Sequence, residues 1–328
     1  MNVKSELLAN LANAGGDYIS GAALADKLGV SRNAVWKAVK ALEAEGFSIS
    51  SITSKGYKLN EDNNRLSEDL ISPLLTTKEM GRNIMVLEEV DSTNNVVREL
   101  ETEKAPHGTT VIADRQTAGK GRIGRSFVSP QGAGLYMSVL VRPHFDLEFA
   151  PMITAAAACA AAEAVESLCG SKVNIKWVND LYMNGKKICG ILTEASLGLE
   201  LRELDCATIG IGINVRSIGK SFDSELKKKA TSIEDETGIR INRNRLCAEV
   251  LNRLEPYLGK ITDRSFLKAY REREMLTGHR ITAMIGNEQL EGEALGIDEN
   301  ANLIIRLPYG EIKYLSSGEA NLCRIADQ

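Results

Sequence analysis

The feature that most restricts the fold of this chain is that its hydrophobic pattern changes type twice along the sequence. Up to about residue 60 the apolar residues recur at helical spacing, and from there to about residue 270 helical and strand-like stretches are mixed. Beyond Gly278 only short strand-like stretches separated by turns remain. The pattern therefore predicts an α+β protein with three domains, over residues 1–63, 64–272 and 273–328.

The first domain has the pattern of a winged helix-turn-helix. A helix with apolar residues from Leu7 to Leu11 and a second helix at 21–27 precede the turn Leu28-Gly29-Val30. Ser31 stands where a helix N-cap belongs, and Val35, Val39 and Leu42 share one face of the helix that follows. Two short alternating strands around residues 53–56 then complete the wing.

The opposite face of that third helix is basic, which favours contact with DNA. Because the net charge of the 328 residues is −4, any DNA contact must come from such a local patch rather than from the whole molecule. The motif layout places operator DNA against Ser31, Arg32, Asn33, Lys37 and Lys55. The alternative is a small helical domain used for protein contact, with its charges solvated.

In the second domain, strands are predicted over 83–90, 135–141, 173–177, 188–192 and 206–215, with a helix over 94–103. Asn184-Gly185 predicts a hairpin between the strands at 173–177 and 188–192. The alanine-rich run from Phe149 to Ala162 predicts a buried helix that is too short to cross a bilayer. The six cysteines lack metal-ligand spacing, so we expect reduced, buried thiols in a cytoplasmic protein without a membrane partner. In the third domain, strands at 281–285, 290–297, 303–307 and 312–315 predict a small β-barrel.

The stretch from Gln116 to Arg125 is the most informative for chemistry. Gly119–Gly124 matches G-x-G-x-x-G literally, but no helix pattern follows it, so a dinucleotide-binding loop is not expected. Glycines interleaved with Lys120, Arg122 and Arg125 suit a site where a carboxylate meets a triphosphate, since both anions must be neutralised before they react. The alternative is a flexible basic surface loop.

Three further stretches each have a functional and a purely structural interpretation. In Lys176-Trp177-Val178-Asn179-Asp180 the indole could stack on a purine and the carboxylate could hold Mg²⁺, or the stretch is an ordinary turn. Lys187 could balance a substrate carboxylate, or it is a common edge-strand lysine. In Asp91-Ser92-Thr93-Asn94 the hydroxyls could bind an uncharged polar head group, or they only cap a helix.

In this order and spacing, the four stretches resemble the biotin–protein ligases, and Gly210-Ile211-Gly212-Ile213-Asn214 fits that family's next strand. With the winged helix in front and the barrel behind, the chain resembles the bifunctional class that also represses biotin genes. The resemblance implies a central domain of the biotin/lipoate ligase type and an SH3-like barrel.

The resemblance also assigns roles to residues. It implies a biotin pocket of Ser92, Thr93, Asn94, Gln116, Lys120, Gly121, Arg122 and Lys187. It implies an ATP and adenylate site of Arg122, Arg125, Trp177, Asn179, Asp180 and Asn214. Arg122, Lys187 and Asp180 would be catalytic, and no metal would be built in, because Mg²⁺ would arrive with ATP. Ile123 and Phe127 depart from the family pattern, and Arg324 only approximates it.

The implied reaction forms biotinyl-5'-AMP from biotin and ATP and transfers biotin to a lysine in the carrier domain of a carboxylase. Operator DNA would be a second partner, and a homodimer is expected, with the adenylate as a candidate inducer. Three alternatives stay open: a lipoate-type ligase, a ligase whose winged helix does not bind DNA, and a repressor that binds a small acid without turnover.

Overall fold

The computed structural model describes residues 3–60, 63–142, 149–197, 204–219, 222–286 and 288–323. In these ranges the chain forms ten α-helices and fourteen β-strands. The helices are α1 (Val3–Asn13), α2 (Gly21–Leu28), α3 (Arg32–Ala44), α4 (Glu68–Ile71), α5 (Thr93–Thr102), α6 (Ala150–Cys169), α7 (Ser224–Lys229), α8 (Ile233–Thr237), α9 (Arg243–Gly259) and α10 (Phe266–Arg273). The strands are β1 (Ile49–Ile52), β2 (Gly56–Leu59), β3 (Ile84–Val90), β4 (Thr110–Gln116), β5 (Gly134–Val141), β6 (Asn174–Lys176), β7 (Asp180–Met183), β8 (Lys186–Leu197), β9 (Leu204–Asn214), β10 (Arg280–Ile285), β11 (Glu288–Ile297), β12 (Leu303–Arg306), β13 (Ile312–Leu315) and β14 (Glu319–Leu322).

The first sixty residues form the predicted helices and antiparallel hairpin. Ser31 caps α3 by accepting a hydrogen bond from the backbone N–H of Ala34 at 3.1 Å. This cap fixes where the helix begins, so Val35, Val39 and Leu42 turn inward to a core shared with the leucines of α1. Leu70, on α4, also packs into this core, although it lies beyond the predicted boundary at residue 63.

The central domain is built on a seven-stranded sheet in the order β3-β4-β5-β9-β8-β7-β6. Helix α5 crosses between β3 and β4, which makes that pair parallel, whereas the other neighbours are antiparallel. Asn184-Gly185 does form a hairpin turn, but it joins β7 to β8, so the predicted pairing of 173–177 with 188–192 is wrong. The sequence pattern had missed β7, whose short alternation of Leu181 and Met183 is easily taken for a turn.

Helix α6 lies in the core of this domain. Its consecutive alanines have small side chains, so helix and sheet backbones can approach closely, and thirteen of its residues are buried. The predicted apolar run was too short, because the helix continues to Cys169 and has 20 residues. By length and composition α6 is the one helix among the described residues that could cross a membrane, yet 72% of its apolar window is buried inside the protein.

The last five strands form an antiparallel sheet in the order β13-β12-β11-β10-β14. The sequence predicted four of them and missed β14. Buried residues of this sheet, such as Ile281 and Ala294, belong to the same hydrophobic cluster as α6 and the central sheet. The C-terminal sheet therefore does not have a core of its own.

A buried arginine ties the segment after the winged helix to the central sheet. Arg243, at the start of α9, donates to Asp114 Oδ1 at 2.6 Å and to the carbonyl of Gly134 at 2.9 Å. Its Nε donates to Asn64 Oδ1 at 2.9 Å, and Asn64 in turn donates to the carbonyl of Gly132 at 2.9 Å. Because a buried guanidinium is tolerated only when fully hydrogen-bonded, this network fixes the path of residues 63–66 across the domain.

Candidate active site

A cleft opens over the carboxyl end of β3 and across the central strands β5, β9 and β8. It is lined by most of the residues singled out in the sequence: Ser92, Thr93, Asn94, Gln116, Lys120, Gly121, Arg122, Arg125, Trp177, Asn179, Asp180 and Lys187. The four separate stretches thus meet in one place. Asn214 is not among the lining residues.

The side chains that line the inner end of the cleft are neutral, and they belong to a hydrogen-bond network that includes the carboxylate of Glu194. Thr93 donates its backbone N–H to Gln116 Oε1 at 2.8 Å, and Asn94 donates to Glu194 Oε2 at 2.7 Å. The hydroxyl of Ser138, on β5, lies 2.7 Å from Thr93 Oγ1 and 2.6 Å from Asn94 Oδ1. Sequence reasoning missed Ser138 because it sits in an otherwise apolar strand.

Ser92 occupies the N-cap position of α5, but its side chain makes no capping hydrogen bond. The residue is nevertheless buried and lines the cleft. A buried hydroxyl prefers a polar partner. The geometry therefore favours the interpretation that Ser92 presents its hydroxyl to a ligand over the interpretation that it only caps the helix.

Glycines on β9 form the floor of the cleft. A Cβ at Gly212 would lie 2.7 Å from the ring of Phe127, and one at Gly210 would lie 2.2 Å from Asn94 Oδ1. Both positions therefore need glycine so that side chains from the loop and from α5 can lie against the strand. Phe127 also packs edge-on against Tyr136, with 6.4 Å between ring centroids.

The glycine-rich stretch is an extended hairpin rather than the start of a helix. Phe127 donates its N–H to the carbonyl of Gly119 at 2.8 Å, and Gly121 donates to that of Arg125 at 2.6 Å. No α-helix occurs between residues 117 and 133, which agrees with the rejection of a dinucleotide fingerprint. At its tip Ile123 is 78% exposed and has a left-handed backbone, with φ of 53°.

Two cations of the loop, Lys120 and Arg122, are held by neutral side chains. Lys120 donates a hydrogen bond to Asn95 Oδ1, and Asn95 donates to the carboxylate of Asp91. The hydrogen bond from Asn95 is the main reason that the pKa of Asp91 lies below its usual value, and the nearby charge of Lys120 adds to it. Arg122 donates to Asn179 Oδ1 at 3.1 Å, and Asn179 donates to the carbonyl of Ile191 at 2.8 Å.

At the outer end of the cleft, cations and carboxylates alternate. Lys187 Nζ lies 2.6 Å from Asp180 Oδ1, and Arg125 pairs with Glu319 Oε2 at 2.6 Å. Lys176 donates to Asn321 Oδ1 at 2.5 Å, and burial lowers its pKa. Such a cluster can exchange its internal ion pairs for contacts with an incoming polyphosphate.

Glu319 and Asn321 belong to β14, so the C-terminal sheet completes the cleft. Burial alone would raise the pKa of Glu319, but the hydrogen bond and charge of Arg125, the charge of Lys176 and the amide of Asn321 hold it below the usual value. Sequence reasoning missed both residues because their partners are distant in the chain, with 145 positions between Lys176 and Asn321, and no local pattern links them.

Trp177 and Asn214, which were both assigned to the nucleotide, are buried. Trp177 lines the cleft, but it is only 3% exposed, and its Nε1 donates to the carbonyl of Ala301 at 3.0 Å. Its indole therefore anchors the C-terminal sheet. Asn214 is buried and donates to the carbonyl of Thr231 at 2.9 Å, away from the cleft. Arg324 lies outside the described residues.

On the winged helix, Ser31, Arg32, Asn33, Lys37 and Lys55 are all exposed. Lys55 and Lys58 of the wing each place Nζ 5.8 Å from the ring centroid of Tyr18. The ring of Tyr18 thereby gathers two cations on one side of the hairpin. Sequence reasoning missed one large side chain on this surface, Trp36, which is 50% exposed.

Among the described residues, one group has metal-ligand types within 4.8 Å of one another: Glu101, Asp205 and Cys206. None of the three lines the cleft. Burial raises the pKa of the Cys206 thiol to about 12.

Comparison with protein families matches three parts of the chain. Residues 4–58 match an HTH domain, residues 86–214 match the Biotin/lipoate A/B protein ligase family, and residues 277–322 match a Biotin protein ligase C terminal domain.

Similar proteins extend along nearly the whole chain. The chain is 36% identical to the bifunctional ligase/repressor BirA of Bacillus subtilis, over 98% of each protein. It is 30% identical to the protein of the same name from Escherichia coli, over 98% of this chain and 97% of that protein. Among solved structures, biotin protein ligase from Aquifex aeolicus in complex with biotin and ATP aligns with a TM-score of 0.63 and 31% identity, over 74% of this chain and 99% of that one.

Proposed function

The chain belongs to the bifunctional biotin ligase/repressor family, and we propose that its cleft makes biotinyl-5'-AMP from biotin and ATP and then passes biotin to a lysine of a carboxylase carrier domain. The observation that carries the proposal is the joining of two different environments in one cleft. Neutral hydrogen-bonding groups line the inner end, and cations paired with carboxylates lie at the outer end. A ligand with an uncharged polar head and a carboxylate tail fits this polarity.

In the first step the biotin carboxylate attacks the α-phosphate of ATP and pyrophosphate leaves. Ser92, Thr93 and Asn94 bond the ureido ring, with Gln116 orienting Thr93. Lys187 turns from Asp180 to the carboxylate and to the forming acyl phosphate, because an ammonium 2.6 Å from one carboxylate can exchange it for another anion. Mg²⁺ enters as part of the ATP substrate, near Asp180.

In the second step the carrier lysine attacks the mixed anhydride and AMP leaves. Arg122 holds the adenylate, and the loop from Lys120 to Arg125 covers it, so that water does not hydrolyse it before the carrier arrives. Arg125, Asn179 and Trp177 form the nucleotide side of the cleft. Asn214 acts only indirectly, by fixing the end of β9 against Thr231.

The winged helix binds operator DNA through Ser31, Arg32, Asn33, Lys37 and Lys55, and the protein acts there as a cytoplasmic homodimer whose assembly the adenylate promotes. By sequence the domains divide near residues 63 and 272, and Leu70, beyond the first boundary, completes the core of the winged helix. An exposed polar and basic face on α3 supports the DNA contact, since the inward face of the same helix is wholly apolar.

The first experiment measures pyrophosphate release with biotin and Mg·ATP, without a carrier, for wild type, Lys187→Ala and Lys186→Ala. Lys187→Ala should slow release by roughly 100-fold, because one electrostatic contact to the developing charge is lost. Lys186 is adjacent and exposed, so Lys186→Ala should behave as wild type. Equal rates for the two variants would remove Lys187 from the mechanism.

The same assay with lipoate tests the nearest alternative. Gln116 and Asn94 already place amide groups at the inner end of the cleft, which match a ureido ring better than a dithiolane ring. Turnover with lipoate and none with biotin would make the protein a lipoate-type ligase. Binding of biotin without any release of pyrophosphate would leave a repressor without catalysis.

A further inference from the structure

The basic face of α3 contains one large apolar side chain. Trp36 is 50% exposed and does not belong to the hydrophobic cluster that the rest of the winged helix forms. Its neighbours one helical turn before and after are Arg32 and Lys40, and Lys37 is adjacent; all three are exposed. The indole therefore stands in the middle of a cationic stripe.

This position is set by the helix cap and is not the result of loose packing. Ser31 fixes the first turn of α3, and Val35, Ala38, Val39 and Leu42 take every inward position. Trp36 must then point outward, where half of a large aromatic surface stays in water. Leaving that surface hydrated is unfavourable, so its burial on binding would be a source of affinity.

The charges that flank Trp36 restrict the kind of partner that can bury its indole. A partner that buries the indole must also accept Arg32 and Lys37, so it is anionic around an apolar spot. The major groove of DNA has this arrangement, with phosphates along both rims and thymine C5-methyl groups on its floor. A helix of this length fits the groove with its exposed face inward.

We propose that Trp36 is a specificity-determining residue that packs on a thymine methyl group in the operator, while Arg32 and Lys37 bind phosphates. The inference rests on the proposed DNA binding by the winged helix. The proposed apolar contact distinguishes one base sequence from another. The polar contacts mainly fix the position of the protein on the DNA.

The test begins by selecting bound sequences from a random duplex DNA library with the full-length protein, biotin and Mg·ATP. The affinity of wild type, Trp36→Ala and Lys37→Ala for the selected duplex is then measured over a range of salt concentrations. Trp36→Ala should lose about tenfold in affinity with an unchanged salt dependence, because no phosphate contact is removed. Lys37→Ala should lose affinity and reduce the salt slope by about one.

Each thymine of the selected duplex is then replaced by uracil, one position at a time, to locate the methyl group that Trp36 contacts. At one position per half-site the substitution should weaken wild type about as much as Trp36→Ala does, and it should leave Trp36→Ala unaffected. Trp36→Phe should recover part of the loss, because it keeps an aromatic face.

The experiment distinguishes failure of the proposed role of Trp36 from failure of operator binding. If wild type enriches a sequence and Trp36→Ala binds it equally well at every salt concentration, the role of Trp36 is overturned and operator binding stands. If wild type enriches no sequence, both operator binding and this inference fail. Biotin-dependent pyrophosphate release by each variant shows that the remainder of the protein is folded.

Discussion

Side chains at the mouth of the cleft hold the glycine-rich loop through hydrogen bonds rather than through burial. Lys120, half-buried, is bound by Asn95, and Asn95 is bound by Asp91, so a carboxylate two residues before α5 reaches the loop through a neutral amide. Each bond to a charged group is worth more than a neutral one, and the chain of two makes the loop position depend on Asn95.

We therefore predict that Asn95→Ala loosens the loop. The adenylate should dissociate about fivefold faster, because Lys120 loses the partner that holds it at the cleft mouth. The measurement is the release rate of labelled adenylate from the isolated complex. Thr102→Ala, an exposed change on the same helix, should leave the rate unchanged, and an unchanged rate for Asn95→Ala would remove this residue from loop positioning.

At the residue scale, the sequence predicted the side chains that come in local groups. Ser92, Thr93 and Asn94 are consecutive, so their joint position at a helix start could be anticipated. Ser138 and Glu319 could not be, because each is an isolated residue in a strand and acquires its place only through long-range pairing. Asn214 was assigned to the nucleotide from its motif position alone, whereas its amide donates to the buried carbonyl of Thr231.

Among the elements, the contact between the glycine-rich loop and β14 should depend on pH. Arg125 and Glu319 pair at 2.6 Å, and this pair holds the carboxyl pKa below its usual value of 4.5 against the effect of burial. A carboxyl group with a lowered pKa stabilises the folded contact above that usual value, and the stabilisation is lost as the pH falls through the lowered pKa.

The pKa of Glu319 should therefore rise in Arg125→Gln. Burial would then act against the charged form with less opposition, because only Lys176 and Asn321 would still favour the carboxylate. Carboxyl carbon NMR over an acid titration measures this directly. Asn321→Ala should raise the pKa less, since its hydrogen bond is the weakest of the contributions, and no change in Arg125→Gln would mean that the ion pair does not form in solution.

The prediction of helices and strands succeeded where a local sequence pattern was strong. It failed where long-range strand pairing determines the structure. The cap at Ser31, the alanine-rich helix and the Asn-Gly turn were all visible in the sequence. Strand β4 was missed although it carries Gln116, because a short continuous apolar run has no period to distinguish strand from helix. The wrong hairpin partner has the same origin, since β6 and β7 are separated only by a tight turn at Trp177–Asn179.

On the scale of the whole molecule, Arg243 joins parts that are far apart in the chain. Its side chain is 2% exposed and reaches Asp114 on β4, the carbonyl of Gly134 on β5 and Asn64 beside the winged helix. Removing it would leave Asp114, 18% exposed, without its cation, together with an unfilled space at the start of α9.

Arg243→Ala should lower the free energy of unfolding by roughly 3 kcal/mol, because breaking a buried ion pair strands the remaining partners. Urea unfolding followed by circular dichroism measures the change. Arg240→Ala is the matched control, since Arg240 is exposed and pairs with Glu234 at the surface, and it should cost less than about 1 kcal/mol. A similar loss in both variants would contradict a structural role specific to Arg243.

The distribution of the hydrophobic cores determines where the chain can be divided to build chimeric proteins. The C-terminal sheet shares its core with the central sheet, so a chain cut at residue 272 would expose apolar surface on both pieces. The winged helix has a separate core, which makes it an exchangeable module, but that core includes Leu70. A chimera that borrows another DNA-binding module should therefore be joined after Ile71, because a junction at residue 63 would transplant a module that lacks part of its own interior.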